Sequence, residues 1–236
     1  MPFEREIRLR GVSFRYHPEA EWVLRDVDLV LPRGARIGII GETGSGKSTL
    51  LDVVMGLLEP TEGSLEVDGR RVDVNRPREW QLHLAHVPQA IYLADSTIAQ
   101  NIAFGVQPER IDRARVERAG RLAQLGDGSV PTERQPVDRV AERGTRLSGG
   151  QRQRVGIARA LYKEADVIVL DEATSALDGA TEGAVMQAIA DLPSEVTVLV
   201  VAHRLSTLRG CDRVVERAGG RIVRSGSFEE VVGSAA

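Results

Sequence analysis

Eight consecutive residues, Gly41, Glu42, Thr43, Gly44, Ser45, Gly46, Lys47 and Ser48, have the types and spacing needed to hold a polyphosphate. Glycines at the first, fourth and sixth positions let successive backbone N–H groups turn inward, where side chains would otherwise crowd the ligand. Lys47 is long enough to reach β- and γ-phosphate oxygens, the Ser48 hydroxyl suits Mg²⁺, and Thr49 continues the same turn. The motif follows the apolar run 36–40 and precedes a helical pattern over 47–58, so a strand delivers it and a helix N-terminus backs it. A glycine-rich turn capped by Ser48 would require that spacing and both flanks to coincide by chance. A second cluster, this one acidic, follows the apolar run 167–170. Asp171 falls at the carboxyl end of a strand, where open α/β sheets bind ligands, and is the expected partner of Mg²⁺. Glu172 comes next and is a candidate general base to orient and polarise water, although an acidic pair after a strand is also a helix-start signal.

A third cluster is Leu147-Ser148-Gly149-Gly150-Gln151, followed by the helical run 152–161. It offers a second helix N-terminus, with the Ser148 hydroxyl and the N–H groups near Gly149 and Gly150 able to donate to terminal phosphate oxygens. Taken alone it could be a turn and N-cap. Phosphate loop, LSGGQ pentapeptide and Asp171-Glu172 pair, in that order, resemble the ATP-binding-cassette (ABC) ATPases, and the likeness runs from about residue 7 to 231.

That resemblance implies further roles. The signature at Ser148–Gln151 of one copy would cover ATP held by the phosphate loop of a second copy, giving a head-to-tail homodimer that hydrolyses two MgATP. Tyr16 matches the aromatic that stacks on adenine, an edge-strand aromatic being the other reading. Gln89 matches a residue contributing to Mg²⁺ and the attacking water, so the implied metal set is Ser48, Gln89 and Asp171. Asp178, closing Ser175-Ala176-Leu177-Asp178, matches a loop at the dimer interface and could equally cap the next helix. His203 matches a histidine that senses the γ-phosphate. Glu142-Arg143-Gly144 resembles an exporter loop touching membrane helices, and 88–93 with 99–104 more weakly resemble flippases of lipid-linked oligosaccharides. The implied partners are a second cassette and exporter transmembrane domains, expected in the same native chain. The implied location is the cytoplasmic face of a bacterial inner membrane. A soluble ABC protein of translation, repair or chromosome upkeep, or an importer subunit, would share the three clusters.

The elements needed to position these residues are legible too. Short strands are predicted at 7–9, 27–31, 36–40, 64–67 and 71–74, the last pair joined by Asp68-Gly69. Helical periodicity occupies 96–104 and 111–125, and a polar stretch with proline covers 126–145. A helix at 151–163, strand 167–170, helix 180–192 and strand 196–201 alternate as a parallel sheet requires, and a hairpin at 214–217 and 221–224 precedes a short helix at 228–232. The expected class is α/β: a P-loop NTPase cassette with a RecA-like core (1–90 and 152–236), an N-terminal antiparallel β subdomain and an inserted α-helical subdomain (about 91–151). A net charge of -3 disfavours nucleic acid as a partner. The single Cys211 cannot form an internal disulfide and reads as a small buried hydrophobe, the N-terminus lacks a secretory signal's apolar stretch, and the expected setting is the cytosol. No apolar run nears the roughly 20 residues that span a bilayer, so no direct membrane insertion by this segment is expected. His17, His83 and His86 lack metal-ligand spacing.

Overall fold

The computed structural model describes residues 2–73, 76–125, 147–202 and 204–233. Its contacts divide the chain into two compact units: residues 1–84, 166–171 and 193–236, and residues 85–165 and 172–192. The segment 91–151 expected as an insertion lies within the second.

The first unit is built on two sheets. Strands β1 (Glu6–Phe14), β2 (Leu24–Pro32), β4 (Glu62–Val67) and β5 (Arg70–Arg71) form an antiparallel sheet in the order β2-β1-β4-β5. The second sheet has the order β10-β9-β3-β8-β7-β6, where β3 is Arg36–Gly41, β7 Val167–Asp171, β8 Thr197–Val201, β9 Arg213–Ala218 and β10 Arg221–Gly226, and where β6 is Leu84–Val87, of which only Leu84 counts in this unit. Strands β9, β3, β8 and β7 run parallel, and β10 returns antiparallel as the predicted hairpin. Strands β3, β7 and β8 are mainly apolar, with no in-out alternation, because both faces are covered, whereas β9 carries Arg213, Glu216 and Arg217. Ile37, Ile39, Val167, Val169, Leu199, Val201 and Val215 are buried together with Ile7, Leu9 and Leu31 of the antiparallel sheet.

Helix α1 (Lys47–Val54) leaves β3 through the phosphate loop and buries Leu50, Leu51, Val53 and Val54. It stops short of the predicted Leu58 because Gly56 adopts φ +65°, a left-handed position that closes the helix. The exposed Leu57 lies outside the apolar stripe for that reason. One turn, α2 (Arg78–Gln81), supplies the fully buried Trp80, whose Nε1–H donates to the Val54 carbonyl at 2.8 Å and so satisfies a helix-end acceptor. Strand β1 continues well past the predicted residues 7–9, through register shifts on both sides of Val12. Cys211 is half-buried, and burial, reinforced by Asp212, pushes its thiol up to about 12 against the pull of Arg36, so it stays protonated and inert.

The second unit is helical: α3 (Ile98–Ile102), α4 (Arg113–Leu122), α5 (Gly149–Lys163) and α6 (Gly179–Ala190). Each start carries a side-chain cap, from Thr97, Asp112, Ser148 and Asp178 respectively, accepting the N–H three residues on. A last helix, α7 (Phe228–Val232), is boxed by Ser227 and Glu230 in the first unit. Among the described residues no helix is long and apolar enough to cross a membrane.

Candidate functional site

In the first unit, Gly41 to Ser48 run from the end of β3 into α1, with Gly46 as the N-cap at φ +83° and Gly44 at φ +81°. These angles turn the chain sharply without a side chain, leaving N–H groups as the lining of the loop. Lys47 is buried, and its Nζ donates to the Gly41 and Glu42 carbonyls, each at 2.9 Å. The ammonium is thus held over the loop it belongs to. Ser45 Oγ is buried and finds no partner among the described residues, so a polar atom is aimed into the loop with an unfilled requirement. Glu42, Thr43 and Ser48 are exposed at its mouth. A ligand rich in acceptors meets what Ser45, Lys47 and the N-terminus of α1 offer, and a triphosphate has that chemistry.

Thr49 is buried, and its hydroxyl lies 3.1 Å from the Tyr16 hydroxyl. This bond ties the predicted adenine-stacking ring to the first turn of α1. The ring is 65% exposed, with Phe14 edge-on to it at 4.9 Å, so a broad face remains open for a flat ligand. Asp171 is the last residue of β7, half-buried, at the same carboxyl edge of the sheet as Gly41 of β3. Among the described residues no group of three or more His, Cys, Asp or Glu could hold a metal. A serine hydroxyl and one carboxylate, Ser48 and Asp171, instead suit Mg²⁺, which takes one or two protein oxygens and keeps phosphate and water for the rest.

The second unit carries Gln89, Ser148, Gly149, Gly150, Gln151, Glu172 and Asp178. Glu172 is half-buried at φ +53°, a left-handed conformation uncommon for a residue with a side chain, and its carbonyl accepts Ser175 N–H at 3.1 Å. Ser148 caps α5: its Oγ accepts Gln151 N–H at 3.2 Å while Gln151 Oε1 accepts Ser148 N–H at 2.8 Å. The cap uses only an oxygen lone pair, leaving the hydroxyl proton available to an outside acceptor. Gly149 and Gly150 follow as the first two helical residues, whose N–H groups have no intrahelical partner.

Sequence reasoning passed over Gln153, which is buried and joins this helix to the Ser175–Asp178 loop. Its Nε2 donates to Ser175 Oγ at 3.2 Å and its Oε1 accepts Ala176 N–H at 2.9 Å. Asp178 is exposed and caps α6 by accepting Thr181 N–H and Oγ1–H at 3.0 and 2.7 Å, bonds that hold its carboxyl below the usual range. Gln89 is exposed on the segment after β6. That segment is organised by two residues not singled out in the sequence. Buried Asn101 bonds both the N–H and carbonyl of Ala94, and Arg159 donates to the Asn101 and Tyr92 carbonyls while stacking on Phe104 at 4.7 Å. His203 and the 142–144 segment lie outside the described residues.

Comparison with known proteins accords with this geometry. Residues 24–175 match the family model described as ABC transporter. The chain is 41% identical over 237 residues to an ATP-dependent lipid A-core flippase of Cupriavidus metallidurans, covering 99% of this chain and 40% of the relative. It is 42% identical over 229 residues to a flippase of the same name from Burkholderia pseudomallei, covering 96% and 38%. The chain therefore spans about two fifths of the length of these curated relatives. The solved structure of a bacterial Atm1-family ABC exporter with ATP bound superposes with a TM-score of 0.91 at 31% identity, over all of this chain and 41% of that one. A phosphate loop between β3 and α1, an antiparallel sheet beside a parallel one, and a family match across nearly two thirds of the residues converge: the chain belongs to the ABC transporter family and has the fold of its ATP-binding ATPase cassette.

Proposed function

We propose that this cassette is the motor of a membrane exporter, in which two copies close head-to-tail on two MgATP and reopen after hydrolysis. The observation that carries the reading is the pairing of two phosphate-seeking helix starts in one chain. The first is the Lys47 loop at α1, with the unpartnered Ser45 hydroxyl. The second is the exposed Ser148 cap of α5, with a hydroxyl proton to spare.

In this scheme the backbone N–H groups of residues 41–48 and Lys47 bind and orient the phosphates, and Tyr16 stacks on the adenine. Ser48, Asp171 and Gln89 are the residues that would hold Mg²⁺, whose chemistry is to neutralise charge on the β- and γ-phosphate oxygens. Glu172 orients water for in-line attack on the γ-phosphorus and takes up its proton, while His203 reports on the γ-phosphate. Ser148, Gly149, Gly150 and Gln151 of the opposite copy donate to the terminal phosphate, and Asp178 lines the interface between copies. Most of the catalytic effect is positioning and electrostatics, so turnover requires both copies.

The relatives named lipid A-core flippases direct the search for cargo to lipids bearing saccharide headgroups, and a lipid-linked oligosaccharide is the cargo we propose. The transmembrane domains that would carry it would belong to the remaining length of such a transporter, and the location we propose for this cassette is the cytoplasmic face of a bacterial inner membrane. Glu172→Gln tests the ATPase core. It should retain ATP binding while steady-state phosphate release falls by at least about a hundredfold, the scale of a lost general base. Turnover equal to that of the unaltered chain would remove Glu172 from the role. Reconstitution of the full-length transporter with lipid A-core and with lipid-linked oligosaccharide distinguishes the cargoes.

A further inference from the structure

Arg217 is 1% exposed, among the largest fully buried side chains of the protein. It stands on β9, whose parallel pairing with β3 sets Arg217 opposite Gly41, the first residue of the phosphate loop. Its main chain abuts that glycine closely: a Cβ on Gly41 would lie 2.4 Å from the Arg217 carbonyl oxygen. Its side chain reaches the other end of the loop, where Nη1 donates to the Gly46 carbonyl, and Nη2 donates to the Val23 carbonyl at 3.5 Å. One residue therefore brackets the loop at entrance and exit. Nε is buried without a partner, and among the described residues no carboxylate pairs with this guanidinium.

Two physical consequences follow. The Gly46 carbonyl and the Lys47 N–H belong to one planar trans peptide and point opposite ways, so holding the carbonyl from behind aims the N–H toward the phosphate side. Burial lowers the guanidinium from its ordinary value to about 10, which still leaves it charged at neutral pH. A buried cation with only carbonyl partners is costly, and a polyanion bound at the loop it supports offsets that cost. Arg217 shares the inward side of β9 with Val215 and pairs with Ile222 across the hairpin, so an uncharged side chain of similar length would keep the same pairing.

We infer that Arg217 is a positioning residue and standing counter-charge of the nucleotide site, fixing the exit of the phosphate loop at Gly46 and strengthening binding according to the number of phosphates held. The inference rests on the proposed ATP site and adds a specificity element to it. Arg217 touches no reacting atom; it acts through the loop and through its field.

The test compares the 236-residue chain with Arg217→Met and Arg217→Lys, titrating ATP, ADP and AMP by calorimetry beside circular dichroism. Arg217→Met should stay folded, with an unchanged or higher unfolding temperature, because the buried unpaired charge is gone. It should bind ATP about tenfold more weakly, or about 1.4 kcal/mol, with a smaller loss for ADP and the least for AMP. Arg217→Lys keeps the charge and should hold ATP affinity within about threefold, or about 0.7 kcal/mol. Equal weakening of all three nucleotides, ATP binding at wild-type strength in Arg217→Met, or an ATP loss in Arg217→Lys as large as in Arg217→Met would overturn the inference. If Arg217→Met does not fold, Arg217→Gln replaces it under the same criteria. Failure of the unaltered chain to bind ATP would instead strike the nucleotide site itself.

Discussion

Replacing Gly41 by alanine should destabilise this protein well beyond the same change at Gly44, although both glycines belong to one loop and both have positive φ. Gly44 sits at +81°, and an added Cβ would meet nothing within 4 Å, so Gly44→Ala carries only the conformational penalty of a side chain in that region. That penalty is about 1–2 kcal/mol. Gly41 sits at +149°, where a Cβ would lie 2.4 Å from the Arg217 carbonyl oxygen and 2.8 Å from Ser45 Oγ. Ordinary carbon–oxygen contacts begin at about 3.3 Å, so the chain must open by about 0.9 Å. The obstacle is backbone, fixed by the pairing of β3 with β9, and cannot swing aside as a side-chain tip would. Overpacking of this kind adds about 1–3 kcal/mol, for a total of about 2–5 kcal/mol. In a chain of this size each kcal/mol moves the midpoint by about 2–4 °C, so Gly41→Ala should melt about 2–12 °C below Gly44→Ala. Urea unfolding without nucleotide is the assay, because it excludes any clash with bound phosphates. Equal stabilities, or Gly44→Ala the less stable of the two, would refute the argument that the close approach of β9 dictates glycine at position 41.

Three further outcomes are expected. Trp80→Phe should cost about 2 kcal/mol in urea unfolding, because it leaves the Val54 carbonyl without its 2.8 Å indole donor and opens space beside Phe3. Asn101→Ala should speed hydrogen exchange of the Ala94 amide by about tenfold or more, since that amide loses its 2.9 Å acceptor. Burial raises the Asp68 carboxyl, but the backbone N–H groups of Glu6, Glu4 and Arg5, helped by the Arg5 charge, outweigh it and hold Asp68 below its ordinary 3.8. A depressed carboxylate stabilises the fold above its unfolded value and loses that contribution as pH falls through the lower, folded one. Acid unfolding should therefore steepen below about pH 4, and Asp68→Asn should remove that part of the slope while lowering neutral-pH stability by about 1 kcal/mol.

The sequence makes β3, β7 and β8 plain because burial on both faces leaves runs without a charge, as at 37–40 and 167–170. It misses β6, whose four residues are too few for periodicity to declare, and α2, a single turn recruited to place Trp80. The end of α1 is not legible because Leu57 and Leu58 continue an apolar pattern past the point where Gly56 turns the chain. The phosphate loop is legible because its chemistry is local: eight adjacent residues fix it. Gln153, Arg159 and Arg217 are hidden for the opposite reason, since each acts on a segment far away in sequence, and Asn101 is hidden because its bonds to 94–97 follow no local pattern. Arg217 did leave one trace. It lies two positions after Val215 on a strand, hence on the inward face, where an arginine is unexpected.

The claim on which the functional account turns is that two copies share each nucleotide, and sedimentation of the Glu172→Gln chain measures it most directly. With MgATP the protein should sediment as a dimer, and it should return to monomer when Ser148→Arg is added, because the arginine blocks the cap meant for the opposite phosphate. A monomer at saturating MgATP, or a dimer indifferent to Ser148→Arg, would contradict it.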